Sequence, residues 1–204
     1  IKIIMIKLSQ ILLLLTLISI SCTSVRKFAI QSSIYNLSET QKDSLVSVTK
    51  RMLEFDQRYR NIVSLGTLKK ELIEKNNEMS EKASLEEYMG FLKSIKKDIT
   101  QQQTDSLWNL QHKLDYNNYL NLKLIVNKYG YPSKERLGIS EDIFPILLHP
   151  PIELNPKDYL NEMENLLIKE VYAKRMEANQ FAMFVDNIKV KILQEPQIYG
   201  TNNS

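Results

Sequence analysis

The chain has 204 residues, of which 27 are lysine or arginine and 24 are aspartate or glutamate, so its formal net charge at pH 7 is +3. A chain of this length can bury a substantial core as one domain. Its positive charges alternate with acidic residues and form no basic stripe with interleaved aromatic residues, which argues against nucleic acid as a partner. The single cysteine, Cys22, excludes an intramolecular disulfide bond.

The N-terminal residues have the pattern of a secretion signal that starts at Met5. Lys7 supplies a positive charge, residues 11–18 are almost entirely apolar, and small or polar residues precede Cys22. The apolar stretch is shorter than the roughly 20 residues that a membrane-spanning helix needs. We therefore predict a signal peptide over residues 1–21. An uncleaved anchor or a buried helix is the alternative.

Cys22 stands at the end of this apolar stretch, where a core thiol is poorly placed. Ser19-Ile20-Ser21-Cys22 resembles the lipobox of bacterial lipoproteins, in which a small residue precedes a cysteine that receives a diacylglyceryl group. The usual leucine three residues before the cysteine is Ser19 here. Each buried lipid methylene contributes about 0.8 kcal/mol, so acylation would hold the domain at a membrane. We expect lipidation at Cys22, a tether over residues 22–37, and a location in the bacterial cell envelope.

Residues 38–204 are predicted to form one mainly α-helical domain of about six helices, with a small β element near the C-terminus. Glycine is scarce, and apolar residues recur at helical spacing. Caps, glycines and prolines mark the ends of the predicted elements. The first four are a helix from Ser38 to Gly66, a charged helix over Leu68–Met79, a helix opened by a Ser84–Glu87 capping box, and a long helix from Thr104 to Gly130. They are followed by a loop over Ser133–Gly138, a short helix over Ser140–His149, a helix from Asn155 and Pro156 to Tyr172, and a helix over Arg175–Asn187.

The β element is predicted from the last part of the chain. Residues 188–193 alternate between apolar and polar side chains, as a half-buried strand does. Residues 196–201 contain proline and glycine and are predicted as a turn or a short strand.

Polar residues interrupt the apolar stripe of the fourth predicted helix, the long one from Thr104 to Gly130. Leu107, Leu110 and Leu114 predict apolar residues at the following stripe positions, but these are Asn118 and Asn121. Burying an amide without partners costs about 1–3 kcal/mol. The two asparagines are therefore expected either to bond other side chains or to line a wet cleft.

Four charged or ionisable residues stand at similar positions. Asp56 and Arg60 lie one turn apart in the first helix and could form a surface pair worth a few tenths of a kcal/mol, or face the same cleft as Asn118. His149 and Asp186 each end an apolar helix. A structural role is open to both, since a helix C-terminus favours histidine and a carboxylate can bond nearby backbone or an arginine. The other interpretation is a general base or a ligand-binding group.

No strong catalytic or cofactor-binding motif is present in the sequence. All five glycines are isolated, which leaves no phosphate-binding loop and no dinucleotide fingerprint, and there is no G-x-S-x-G elbow. With His112 and His149 as the only histidines, a zinc site would need carboxylates. We therefore expect no cofactor and no metal. A hydrolase that uses the two carboxylates of Asp56 and Asp186 is a further alternative, but no feature of the sequence supports it.

A set of short motifs occurs in a defined order, namely Asp56-Gln57-x-x-Arg60, Asp115-x-x-Asn118, Lys128-Tyr129-Gly130-Tyr131-Pro132, Gly138, Leu148-His149, Asp186-Asn187-Ile188 and Pro196-Gln197-x-Tyr199-Gly200-Thr201. Over about residues 40–201 this set resembles the bacterial domain-of-unknown-function family numbered 6624, with D-Q-x-x-R, D-x-x-N, G-W-P, Q-H, D-R-V or D-R-I, and Q-Y-G-T-Q. The departures are Tyr131 for tryptophan, Leu148 for glutamine, Asn187 for arginine and Asn202 for the last glutamine.

The resemblance implies an α-rich, often exported domain without an established activity. Such domains continue past the last motif, which leaves a truncation at Ser204 open. The resemblance also implies that the polar motif residues gather in one place; these are Asp56, Arg60, Asn118, His149, Asp186, Gln197 and Tyr199.

Three functions follow from these observations. The slightly preferred one is a non-catalytic envelope module that binds a small molecule or an envelope partner through a polar cleft, with Arg60, Asn118, Gln197 and Tyr199 as binding residues. The second is an unrecognised hydrolase or transferase in which His149 is the base and Asp56 or Asp186 orients it. The third is a structural lipoprotein whose polar positions are satisfied internally. A hydrogen bond of roughly 3 Å between the histidine and a carboxylate is the observation that the second requires.

Overall fold

The computed structural model describes residues 37–202, and from Glu39 onward these residues form one compact unit. The predicted signal peptide, Cys22 and most of the predicted tether lie outside this range. Within it the secondary structure is helical and contains no strand, so the predicted mainly α-helical domain is confirmed. In chain order the helices are α1 (Glu39–Gln57), α2 (Arg60–Leu65), α3 (Lys70–Lys82), α4 (Leu85–Ser94), α5 (Gln101–Tyr129), α6 (Lys134–Leu137), α7 (Phe144–Leu147), α8 (Pro156–Tyr172), α9 (Ala178–Asn187) and a π-helix (Ile188–Ile192).

The long helix α5 lies at the centre of this arrangement. α1 packs along it, the single turn α7 contacts both α1 and α5, and α8 contacts α5 and α9. These helices supply most of the buried apolar side chains, including Met52, Leu122, Val126, Leu147, Met163, Leu167, Phe184 and Val185. Removing such side chains from water is the main favourable term in folding. The packing brings the residues that follow α7 next to the C-terminal end of α1.

Side-chain caps fix where several helices begin. The Ser84–Glu87 capping box opens α4, and the Asn155 side chain accepts a hydrogen bond from Lys157 N at the start of α8, both as predicted. The predicted start of α5 at Thr104 is wrong. A capping box between Thr100 and Gln103 opens this helix one turn earlier, because the pattern T-x-x-Q satisfies two free N–H groups there.

The inward-facing side of α5 differs from the one that its leucines suggest. Leu110 is 43% exposed, whereas Gln111, Asp115 and Asn118 are buried. Their spacing of four and three residues puts them on one helix face, which α1 covers. Asn121, the other asparagine of the predicted stripe, is exposed. The first half of α5 therefore turns a polar face towards the core.

The predicted C-terminal β element is not present among residues 37–202. Residues 188–192 instead extend α9 as a π-helix, closed by a hydrogen bond from Leu193 N to Ile188 O. Only Ile188 of this segment is buried, and Val190 is 37% exposed. The alternation of isoleucine, valine and lysine does not produce a half-buried strand here, because residues 37–202 contain no other strand to pair with it.

Two shorter segments also differ from the prediction. The expected loop over residues 133–138 contains the helical turn α6, capped by Ser133 and ended by Gly138. The short helix expected from Ser140 begins later, as α7, where the Asp142 carboxylate accepts a hydrogen bond from Phe144 N. None of the helices between residues 37 and 202 combines the length and the hydropathy that crossing a membrane requires.

Candidate functional site

A buried carboxylate and a histidine form the centre of the candidate site. Asp56 lies in the last turn of α1 and is 1% exposed, and His149 follows α7. The His149 Nδ1 and Asp56 Oδ1 atoms are 2.8 Å apart, and the Gln57 side-chain amide donates a hydrogen bond to Asp56 Oδ2 over 2.6 Å. A carboxylate without a proton only accepts hydrogen bonds, so Nδ1 carries a hydrogen in this contact, and in the uncharged form of the ring Nε2 is an acceptor.

Gln111 holds the end of α1 in place. Its side-chain NH₂ group donates to Phe55 O over 3.2 Å and to Asp56 O over 3.0 Å, and its Oε1 accepts from Tyr59 N over 3.0 Å. The last carbonyl groups of a helix lack helical partners, so this buried amide satisfies groups that would otherwise be unpaired. The same NH₂ group also lies 2.8 Å from Asp115 Oδ1. Gln111 therefore links the backbone at Asp56 to a second carboxylate.

Asp115 forms an ion pair with Arg60 across the α2–α5 contact. The Asp115 Oδ2 and Arg60 guanidinium atoms are 2.8 Å apart, and the two side chains are 5% and 15% exposed. Burial raises the pKa of Asp115 and outweighs the opposing effects of the Gln111 hydrogen bond and the Arg60 charge. The surface pair between Asp56 and Arg60, one of the two predicted alternatives, is not formed, because each residue has a different partner.

An aromatic pair continues the site along α5. The Trp108 and His112 rings stack one helical turn apart, with centroids separated by 6.0 Å. The Arg60 guanidinium lies over the Trp108 ring at 5.9 Å from its centroid. These contacts fix a flat apolar surface beside the Arg60–Asp115 pair.

His149, the Arg60–Asp115 ion pair and the Trp108–His112 aromatic pair border a cleft of about 470 Å³. This volume falls within the range of roughly 300–1,000 Å³ that is usual for small-molecule sites. Four of the twelve residues that line the cleft are polar or charged, and the other eight are apolar. The polar ones are Arg60, His112, Asp115 and His149, and the apolar ones are Trp108, Leu148, Pro150, Pro151, Ile152, Leu154, Pro156 and Ile192.

Asn118 lies next to this site but does not line the cleft. It is 1% exposed, and its side-chain NH₂ group donates to Met52 O over 3.0 Å. Met52 precedes Asp56 by one turn on α1. Asn118 is thus a buried contact between α1 and α5 that bonds the backbone, whereas the two predicted alternatives were a bond to other side chains and a place in a wet cleft.

Asp186 has a separate environment at the C-terminal end of the described chain. One carboxylate oxygen accepts hydrogen bonds from Ile198 N (2.7 Å) and Tyr199 N (3.0 Å), and the other from Thr201 N (2.8 Å) and its hydroxyl (2.9 Å). Burial favours the neutral carboxyl, but these hydrogen bonds outweigh it and lower the pKa of Asp186 to about 2. With both oxygens engaged, Asp186 orders the C-terminal turn and has no lone pair left to orient His149.

The remaining candidate residues belong to that turn. Gln197 is exposed, and its Oε1 accepts a hydrogen bond from Asn202 N over 3.0 Å. Tyr199 is 49% exposed, and its ring packs edge-on against Phe181. Neither lines the cleft. The structure therefore brings Asp56, Arg60 and His149 together with Asn118 nearby, and places Asp186, Gln197 and Tyr199 in a second cluster.

Sequence reasoning overlooked Gln111 and Trp108. The signal for Gln111 was its place four residues before Asp115 and seven before Asn118, which puts all three on one helix face. Trp108 carried no comparable signal, because a single tryptophan in a leucine-rich helix is most simply a core residue.

A buried ion pair was also overlooked. The Arg175 guanidinium makes two hydrogen bonds to Glu170, of 2.6 and 2.9 Å, and Glu170 also accepts from Tyr131 N over 2.8 Å. Gly130 allows this approach: its φ is +80°, and a Cβ there would lie 2.5 Å from Arg175 Nε. This cluster joins the end of α5 to the end of α8. It does not line the cleft, and its role is structural.

No group of three or more histidine, cysteine or acidic side chains suited to a metal ion occurs within residues 37–202. The charged and hydrogen-bonded pairs described at the cleft are the histidine–carboxylate pair of His149 and Asp56 and the arginine–carboxylate pair of Arg60 and Asp115. Both carboxylates already have a cationic or hydrogen-bonding partner in the protein.

No family model matches the chain, and no match was found among curated proteins or among solved structures. The resemblance to family 6624 thus stays a prediction from the ordered sequence motifs.

Proposed function

We propose that the cleft beside His149 binds a small organic molecule and that the protein is a ligand-binding module of the bacterial cell envelope. The observation that carries the proposal of ligand binding is the 2.8 Å hydrogen bond between buried Asp56 and His149 at the edge of the cleft. A binding cleft is typically apolar with a few polar groups in fixed orientations. The 32% exposed side chain of His149 is such a group, since Asp56 holds its ring from the buried side.

Preorganisation supports binding further. The Gln111 hydrogen bonds fix the backbone beside Asp56, and the contacts within the Arg60–Asp115 pair and the stacked Trp108 and His112 rings order further residues of the cleft. A ligand therefore meets groups that are already ordered, and less conformational entropy is lost on binding.

General-base catalysis is the second candidate, and the same hydrogen bond favours it. An imidazole whose Nδ1–H is held by a carboxylate can accept a proton at Nε2 from water or from a hydroxyl group. Among the described residues that line the cleft there is no serine, threonine or cysteine. A reaction here would therefore use activated water or a substrate hydroxyl as the nucleophile rather than a covalent enzyme intermediate.

The envelope location is proposed from the sequence alone. The secretion signal over residues 1–21 and the lipobox-like segment at Cys22 support export and acylation. A lipid anchor there would hold the helical domain at a membrane surface through a short tether.

A thermal-shift screen of small molecules on the purified full chain tests the binding proposal. His149→Asn is the informative variant, because the asparagine amide can still donate to Asp56 while the Nε2 acceptor is removed. Gln197→Ala, at an exposed residue outside the cleft, is the matched control. We expect compounds that raise the melting temperature of the wild type and of the control, but not of His149→Asn. The proposal would be overturned if no compound raised the melting temperature of the wild type by an amount that His149→Asn removes.

The same compounds distinguish the two candidate functions, ligand binding alone and general-base catalysis. Prolonged incubation with the protein followed by mass spectrometry should return them unchanged if the cleft only binds. Conversion to a product by the wild type, lost in His149→Asn, would establish the general-base function instead.

A further inference from the structure

We propose that the ligand of the cleft is an uncharged molecule with an apolar body and a single neutral hydrogen-bond donor, typified by a hydroxyl group, and that this group donates a hydrogen bond to His149 Nε2. The inference rests on the proposed binding function and specifies its ligand class. Three independent features of the site lead to it, namely the hydrogen-bonding polarity of His149, the charges around it and the composition of the cleft walls.

The first feature is the orientation of the histidine. Because an Asp56 carboxylate without a proton can only accept, the Nδ1 atom of His149 donates over 2.8 Å, and the uncharged form of the ring presents an acceptor at Nε2. The ligand atom that meets this nitrogen must therefore carry a hydrogen. Hydroxyl, amide N–H and ammonium groups satisfy this condition, whereas ethers, esters and carboxylates do not.

The second feature is the charge of the site. The ionised groups around the His149 ring are the carboxylates of Asp56 and Asp115 and the guanidinium of Arg60, and the other neighbouring titratable group is His112. With both imidazoles neutral, these groups sum to one net negative charge. A carboxylate or phosphate ligand would add to it in a partly buried cleft, where repulsion is poorly screened. An anionic ligand is therefore disfavoured.

An ammonium ligand is disfavoured for a different reason. Asp56 is 1% exposed and Asp115 is 5% exposed and already paired with Arg60, so neither carboxylate presents much surface to a new cation. Transfer of an ammonium group into the cleft would lose hydration without gaining a direct ion pair. A neutral hydroxyl has a much smaller desolvation cost.

The third feature is the wall of the cleft. Eight of its twelve lining residues are apolar, and they include Trp108, Pro150, Pro151 and Ile152. Ile152 is 68% exposed at the rim, so a ligand that covers it removes apolar surface from water. The wall thus suits an apolar ring or chain, while His149 supplies the one polar contact.

Two matched series of probes test this inference by isothermal titration calorimetry on the full chain. One has a naphthyl body and the other a linear octyl chain, and each carries a hydroxyl, a methyl ether, a carboxylate or an amine. We expect the alcohol of at least one series to bind about tenfold more tightly than its ether and its carboxylate, the equivalent of one hydrogen bond. In His149→Asn, the advantage of the alcohol over the ether should disappear.

The outcomes distinguish the ligand class from the binding proposal. Tighter binding of a carboxylate or an amine, lost in His149→Asn, would overturn the hydroxyl assignment and leave the cleft as a binding site. An alcohol that binds no better than its ether, or no binding by either series, would also overturn the assignment. In that case the compound screen on wild type and His149→Asn still decides whether the cleft binds any ligand.

Discussion

The Asp56 carboxylate and the His149 imidazole are 93 residues apart in the chain and 2.8 Å apart in the structure. They meet because α7 packs against both α1 and α5, which places His149, two residues after α7, beside the last turn of α1. Gln111 on α5 bonds the backbone at that turn and the Asp115 carboxylate as well. The polar face of α5 thus positions the histidine–carboxylate pair at the cleft.

Gln111 should contribute more to stability than Asn118. The Gln111 side chain bonds three carbonyl or carboxylate oxygens and one backbone N–H, whereas Asn118 bonds the single carbonyl of Met52. We expect Gln111→Leu to lower the free energy of unfolding by about 3 kcal/mol and Asn118→Leu by about 1 kcal/mol, since buried groups that lose their partners carry the larger penalty.

Urea unfolding followed by circular dichroism measures both values. Leucine is close in size to both amides, so the comparison isolates the hydrogen bonds. A higher unfolding free energy in Asn118→Leu would mark Asn118 as a functional rather than a structural residue. Equal losses in the two variants would contradict the central place of Gln111.

The Asp186 carboxylate should make the stability of the domain depend on acidic pH. Its pKa falls to about 2 in the folded state, from about 3.9 in the unfolded chain. A lowered folded-state pKa stabilises the protein above the unfolded value, and this contribution is lost as the pH falls towards 2. The difference in unfolding free energy between wild type and Asp186→Asn should therefore shrink by about 2 kcal/mol between about pH 5 and pH 2.

Chemical unfolding at several pH values tests this prediction. Asp43→Asn, which removes an exposed carboxylate of α1, controls for the change in net charge. A difference between wild type and Asp186→Asn that stays constant over the acidic range would show that the four hydrogen bonds do not hold the carboxylate ionised.

Local sequence patterns predicted the helical class and many helix ends, because caps and punctuation act within a few residues. Ser84, Asn155 and Gly130 are examples. The strand predicted near Ile188 failed because alternation is informative only where a partner strand exists. The leucine stripe that starts at Leu107 misled similarly, since amphipathicity does not reveal which face of α5 a neighbouring helix covers.

The site was predictable only in part for the same reason. Asp56, Arg60 and His149 stood out as polar residues in apolar settings, and in the structure Arg60 and His149 line one cleft while buried Asp56 bonds His149. Asp186 stood out equally, but its carboxylate accepts hydrogen bonds from the backbone of Ile198 and Thr201, which come later in the chain. Which of two acidic residues meets a histidine depends on the packing of distant helices, and local spacing carries no information on that.

The Glu170–Arg175 pair should be costly to break. Its side chains are 5% and 11% exposed, and Glu170 also receives the Tyr131 N–H. Glu170→Gln deprives Arg175 of its carboxylate partner, and removal of one member of a buried pair costs about 3–5 kcal/mol. The melting temperature measures the loss, with Glu153→Gln, at an exposed glutamate, as the control. Similar melting temperatures for the two variants would show that the pair is not stabilising.

Lipidation at Cys22 has a direct test in cells. Because Cys22 is the only cysteine and follows the apolar stretch of the predicted signal, Cys22→Ser should abolish metabolic labelling of the protein by palmitate. Gel fluorography of a tagged full-length chain measures the label. A serine variant that still incorporates palmitate would refute the anchor.

The protonation pattern of His149 is the most direct test of the account, because a held Nδ1–H and a free Nε2 acceptor are what both the function and the ligand class require. With two histidines in the chain, a long-range ¹H–¹⁵N NMR spectrum at neutral to basic pH resolves the tautomer of each, and His112→Gln assigns the signals. We predict that His149 carries its proton on Nδ1 and that Asp56→Asn reduces this preference. A His149 protonated on Nε2, or a tautomer unaffected by Asp56→Asn, would contradict the account.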